Sequence, residues 1–142
     1  RSLKDDDEFT LLYSRFLVAQ QQEAQAEVEL KRFLRKKFSE PLIDLYGQIN
    51  ISEQQLSFAE TFLKKHADSA VLYLSLSRLS IAQHLWGKAR DYLTKSISLA
   101  PSAAAYAEMG TLLERFGEQQ EACAAFRNGL NLVHGTSIGT KG

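Results

Sequence analysis

The chain has 142 residues, 44% hydrophobic and 24% charged, which is enough apolar material for one packed domain and excludes a disordered polar chain. Its 17 Lys and Arg balance 17 Asp and Glu, so no overall charge draws it to nucleic acid or an anionic membrane surface, and any partner must be recognised locally. One cysteine excludes an intrachain disulfide framework, and no apolar run approaches the roughly 20 residues of a membrane-spanning helix.

The helical pattern starts with Asp5-Asp6-Asp7-Glu8, followed by Phe9, Leu12, Tyr13, Phe16 and Leu17 at spacings of three and four. That predicts a helix with its acids at the positive end of the dipole. A polar corner at Gln20-Gln21-Gln22 separates it from a second helix through Ala26, Leu30, Phe33, Leu34 and Phe38. Ser39-Glu40-Pro41 reads as a capping serine with proline in the first turn, opening a short helix through Leu42, Leu45, Tyr46 and Ile49. Its partner begins at the capping-box string Ser52-Glu53-Gln54-Gln55 and continues through Leu56, Ala59, Phe62 and Leu63 to His66. Asp68 or Ser69 caps the next helix, through Leu72, Leu76 and Leu79, and a corner near His84 leads to one from Trp86 through Leu93 to Leu99. Pro101-Ser102 opens the last pair, which turns at Gly117 and ends near Val133. Residues 134–142 are glycine-rich and short of apolar groups, which predicts a flexible, frayed tail.

Residues 70–102 and 103–135 are one unit written twice at a spacing of 33, pairing Tyr73 with Tyr106, Leu76 with Met109, Ser77 with Gly110, Leu79 with Leu112, Ala89 with Ala122 and Leu93 with Phe126. A pair of amphipathic helices cannot bury both apolar stripes alone, so neighbouring pairs must stack. The fold class is therefore all-α, a helical-hairpin repeat array of about eight helices in a right-handed superhelix. A single domain over residues 1–133 would divide into hairpins at about 6–38, 39–67, 68–101 and 102–133.

The residue types of the two clear units resemble the tetratricopeptide repeat (TPR): Tyr106, Met109, Gly110, Leu113, Gly117, Ala122, Phe126 and Gly129 in one, and Tyr73, Leu76, Ser77, Trp86, Ala89, Leu93, Ser96 and Pro101 in the other. Residues 36–69 keep only a shadow of that pattern. A narrower resemblance lies in the strings Leu42-Ile43-Asp44-Leu45-Tyr46-Gly47, Ala59-Glu60-Thr61-Phe62-Leu63-Lys64-Lys65-His66 and Leu85-Trp86-Gly87-Lys88-Ala89-Arg90-Asp91-Tyr92-Leu93. These are similar to the C-terminal repeat region of the HemY family, bacterial inner-membrane proteins associated with late steps of heme biosynthesis. The resemblance implies a scaffold in porphyrin metabolism, hung on the cytoplasmic side of the inner membrane from an N-terminal segment preceding this chain, which has no initiating Met. Heme-biosynthesis enzymes would then be candidate partners.

A catalytic site needs convergent groups, and the chain offers scattered ones. His66 follows Lys64-Lys65 at a helix end, where an exposed cap is expected; His84 sits at a corner; and Cys123, between Ala122 and Ala124, reads as a small buried residue. Neither a nucleotide-binding G-x-G-x-x-G after a strand nor a phosphate loop is present. No cofactor, metal site or enzymatic activity is expected. The run Lys31, Arg32, Arg35, Lys36 and Lys37 is read as a solvated face complementing the end of its helix.

In TPR arrays the first helix of each pair lines a concave groove. The residues beside the packing positions are here Leu74, Arg78 and Ile81, then Ala107, Thr111, Glu114 and Arg115, extended by Asp44, Gln48 and Arg15. Mixed apolar and charged groups suit an extended protein or peptide partner, which makes the expected function a protein-interaction scaffold; the competing reading is a heme or porphyrin carrier.

Overall fold

The computed structural model describes residues 3–139, with side chains over 6–134, and within them every regular element is a helix. In chain order these are α1 (Leu3–Ala19), α2 (Glu23–Lys36), α3 (Glu40–Tyr46), α4 (Gln54–Glu60), α5 (Leu63–His66), α6 (Ala70–Ala82), α7 (Trp86–Leu99), α8 (Ala103–Arg115) and α9 (Gln119–Gly139). Eight helices become nine because the one expected through residue 66 is broken. At Thr61 and Phe62 the backbone N–H groups bond three residues back, to Phe58 and Ala59, and tighten the turn. α9 runs past Val133 to Gly139, where a tail was expected. Glycine costs a helix about 1 kcal/mol per position but, unlike proline, leaves the hydrogen-bond series intact. Residues 140–142 of that expected tail lie outside the described residues.

Three of the hairpin corners close in the same way. The N–H groups of Gln22, Leu85 and Glu118 reach back five residues to the carbonyls of Leu17, Ser80 and Leu113, at 2.8, 2.9 and 2.9 Å. Those of Gln21, His84 and Gly117 reach back three, and these are the residues with positive φ, at 61°, 60° and 78°. This is the Schellman closure with a left-handed residue just past the helix. His84 and Gly117 stand 33 apart, so the repeat extends to the backbone of its corners.

The second pair departs from the pattern. Its corner, residues 47–53, is wired by the buried Gln55 side chain, which accepts from the Ile51 and Ser52 N–H groups at 2.8 and 3.2 Å and donates to the Ile49 carbonyl at 2.8 Å. The Ser52 bond is one half of the expected capping box. First helices α3, α6 and α8 open on serine caps: Ser39, Ser69 and Ser102 accept from the N–H three residues on, at 3.4, 3.1 and 3.0 Å.

α1 packs on α2, α6 on α7 and α8 on α9, while α3 and α4 both pack on α6 and α7 packs on α8. The largest cluster of buried side chains, including Leu30, Leu34, Leu42, Ile43, Tyr46, Leu72 and Leu76, therefore joins α1 to α6. A smaller one, Leu74, Ala89, Leu93, Ala105 and Leu112, ties α6 and α7 to α8. Close approach is enforced by small residues. A Cβ on Gly47 would lie 2.8 Å from the Ser75 Cα, and one on Gly110 would lie 2.5 Å from the Phe126 ring.

Candidate functional site

Successive first helices are joined by one guanidinium. Arg78 of α6 donates through Nη1 to Asp44 Oδ1 of α3 and through Nε to Glu108 Oε2 of α8, both at 3.0 Å. Its side chain is 17% exposed, and Gln48, two residues past the end of α3, donates to Asp44. A partly shielded arginine that bridges two carboxylates ties α3, α6 and α8 together more firmly than isolated surface ion pairs would.

Beside the row lies an open hollow of about 620 Å³ where Ile81 of α6 meets Thr111, Glu114 and Arg115 of α8, four of the sequence-expected groove residues. Glu108, Asn50, His84 and Trp86 also line it. The Arg115 guanidinium lies 4.0 Å from the centre of the Trp86 ring, and the His84 ring stacks on Trp86 at 5.0 Å. The hollow thus offers a large aromatic surface held by a cation, two carboxylates and a hydroxyl within one concavity. That combination suits orienting a peptide by a few anchors.

The remaining expected groove residues are placed otherwise. Leu74 is 6% exposed and belongs to the cluster between the third and fourth hairpins, so it is a packing residue; its position on α6 faces the incoming α8. Ala107 lines a separate apolar hollow of about 350 Å³ with Phe126, Leu130 and Val133. Arg15 is exposed on α1 and lines neither hollow. Glu108, Trp86 and His84 were missed. In the sequence Glu108 is visible only as an opposite charge near the register of Arg78, and Trp86 as a repeat-packing residue.

Outside the groove, Cys123 is exposed, not buried: the inward face of α9 is set by Ala122 and Ala125, and Cys123 falls one position off it. His66 is half-buried, its ring stacked on Phe38 at 3.9 Å, where an exposed cap was expected. Two tyrosines are tied to carboxylates. Tyr46 donates to Glu27 at 2.6 Å, and burial followed by that bond pushes its pKa far up. Tyr92 donates to Glu60, and burial and the carboxylate raise it likewise. Burial alone would raise Glu60, but Lys88, 2.8 Å away, and the Tyr92 hydroxyl hold it below the ordinary value. Among the described residues no group of three His, Cys, Asp or Glu is placed to hold a metal ion, and no helix is long and apolar enough to cross a membrane.

No protein-family model and no curated protein matches the chain. Among solved structures, the crystal structure of MamA is similar, with a TM-score of 0.68 at 21% sequence identity, covering 96% of this chain and 85% of that one. Likeness at that identity establishes the fold, a TPR-like helical-hairpin array.

Proposed function

We propose that this chain is a non-catalytic protein-interaction scaffold that holds an extended segment of a protein partner along α3, α6 and α8. The observation that carries the reading is the hollow around Trp86 and Arg115, set beside a row of first helices locked by Arg78. The proposal takes residues 1–133 as one unit, because the hollow draws on the second, third and fourth hairpins together. It counts Asp44, Gln48, Ile81, Thr111, Glu114 and Arg115 as contact or support residues. Arg78 is support, since its charge is already shared by two carboxylates.

The test is to pan a displayed peptide library against the chain and measure the selected peptides on Arg115→Glu and Thr111→Arg. Both positions are exposed, so the fold should persist. Affinity falling about tenfold or more in either variant supports the groove; affinity equal to wild type removes it.

A scaffold for heme-biosynthesis enzymes, tethered at a bacterial inner membrane, is the narrower proposal. Its support is the wording of the three HemY-like strings, the most specific of which also has a structural account. Leu85 closes a corner, Trp86 stacks with Arg115, and Ala89 and Leu93 are core. Absorbance titration with heme separates scaffold from carrier. Stoichiometric binding lost in His84→Ala or Cys123→Ala would favour the carrier.

A further inference from the structure

Two basic runs far apart in sequence meet at one hollow. Arg35, Lys36 and Lys37 at the end of α2 share a concavity of about 380 Å³ with Lys64, Lys65 and His66 of α5. Phe38 and Phe62 also line it, their ring centres 5.2 Å apart. No carboxylate is among the lining residues. The neighbouring cations of α2 are engaged: Lys31 pairs with Glu27 at 3.8 Å, and Arg32 pairs with Glu29. Among the described residues no carboxylate forms an ion pair with Lys36, Lys37, Lys64 or Lys65.

Helix ends do not absorb this charge. A helix C-terminus presents about half an elementary negative charge, and a four-residue helix such as α5 presents less. Arg35 lies over the Phe58 ring, 5.8 Å from its centre; the ends of α2 and α5 together offset at most about one of the charges on Lys36, Lys37, Lys64 and Lys65, leaving roughly three without a partner around one concavity. In a chain of zero net charge, that is a local recognition feature. Lys36 and Lys37 also border a second hollow of about 530 Å³, lined by Phe9, Tyr13 and Phe33, by Asp6, and by Glu29 paired with Arg32. A ridge of two lysines thus separates a basic concavity from an aromatic one of mixed charge.

We propose that these adjoining hollows form a second docking site, separate from the groove, for an acidic segment of a protein partner. Its carboxylates would lie over Lys36, Lys37, Lys64 and Lys65, and an aromatic or aliphatic side chain would sit against Tyr13 and Phe33. Shape favours a peptide over a bilayer. Membrane-surface sites present cations around apolar side chains that protrude; Phe9 protrudes at the second hollow, 57% exposed, but the cations of the α2–α5 hollow line a concavity and Phe38 and Phe62 are half-buried within it.

The experiment uses the full chain and a fluorescent synthetic peptide of alternating Asp and Glu with one Phe, read by anisotropy at low and physiological salt. The pair Lys64→Glu, Lys65→Glu and the milder pair Lys36→Gln, Lys37→Gln are compared with Lys95→Glu, an exposed charge reversal on α7. The proposal expects about a tenfold or greater loss for the first pair, a smaller loss for the second, no change for Lys95→Glu, and weaker binding when the peptide Phe becomes Ala. Failure of the wild-type chain to bind the peptide, or equal loss in Lys95→Glu, overturns it. So does binding to phosphatidylserine vesicles that depends on the same lysines while the peptide is ignored. Binding lost with Arg115→Glu but retained in both lysine pairs would return the peptide to the groove and leave no second site.

Discussion

Arg78 shows how one side chain changes role between sequence and structure. Spacing along α6 puts it among the expected groove residues, but spacing within one helix is blind to the carboxylates that α3 and α8 bring to it. Reversing its charge would set three acids together, so Arg78→Glu should lower stability by about 1–3 kcal/mol in urea denaturation, with Arg78→Lys, which keeps one bond, intermediate. A binding defect in that variant would report the frame and not the contact surface. Leu74 and Cys123 were misplaced by the same blindness: a helix face is decided by what packs against it, and one position turns the side chain through about 100°.

The tyrosine–carboxylate pairs give the molecule a pH dependence with opposite signs at the two ends. Tyr46 and Tyr92 have folded pKa values raised above the ordinary 10.0. The stability they contribute is therefore complete below pH 10 and is lost as pH rises past it. Glu60 is held below its ordinary 4.5, so its contribution is complete above that value and is lost as pH falls through the folded pKa. Glu60→Gln should flatten the acid limb of a stability profile, and Tyr46→Phe the alkaline limb. Ultraviolet titration of the five tyrosines should show two that ionise only as the chain unfolds; five ordinary titrations would contradict these contacts.

Among the elements, caps and corners were the most readable features, because they depend on local chemistry. The sequence marks Ser39 as a cap, Asp68 or Ser69 as the next, Pro101-Ser102 as a unit boundary and Gly117 as a turn; the structure caps with Ser39, Ser69 and Ser102. The 47–53 corner was half readable: the capping-box string marks the Gln55–Ser52 bond, but not the bonds that the buried Gln55 side chain makes with the Ile51 N–H and the Ile49 carbonyl. Gln55→Ala would orphan two N–H groups and a carbonyl, and should cost about 2–3 kcal/mol in denaturant unfolding. The repeated corner makes the opposite prediction. A non-glycine residue in the left-handed region is strained by about 1 kcal/mol, so Gln21→Gly should raise stability by up to about that amount. Gly47→Ala should destabilise strongly, because the Ser75 backbone opposite cannot move aside as a side chain can.

At the scale of the whole molecule, sequence clarity and packing run in opposite directions. The repeats that declare themselves, residues 70–133, enclose the smaller clusters, whereas the stretch with the faintest pattern holds the principal core. A degenerate repeat keeps its apolar side chains while losing the small-residue signature, so family-like spacing fades before burial does. In a stacked array stability is nearly a sum over neighbours. Amides of α9, packed on α8 through the small cluster of Leu113, Ala122 and Ala125, should exchange with deuterium before those of α3 and α6. Uniform protection from α1 to α9 would show a single cooperative core instead.

The central claim is that the Trp86 hollow is a contact surface for protein, and Trp86 is the single tryptophan of the chain. Its fluorescence can therefore report on the hollow directly. Titrating the chain with a library-selected peptide should shift or quench the emission in proportion to binding, with affinity lost in Arg115→Glu. A peptide that binds with unaltered Trp86 emission and equal affinity for Arg115→Glu would contradict the account.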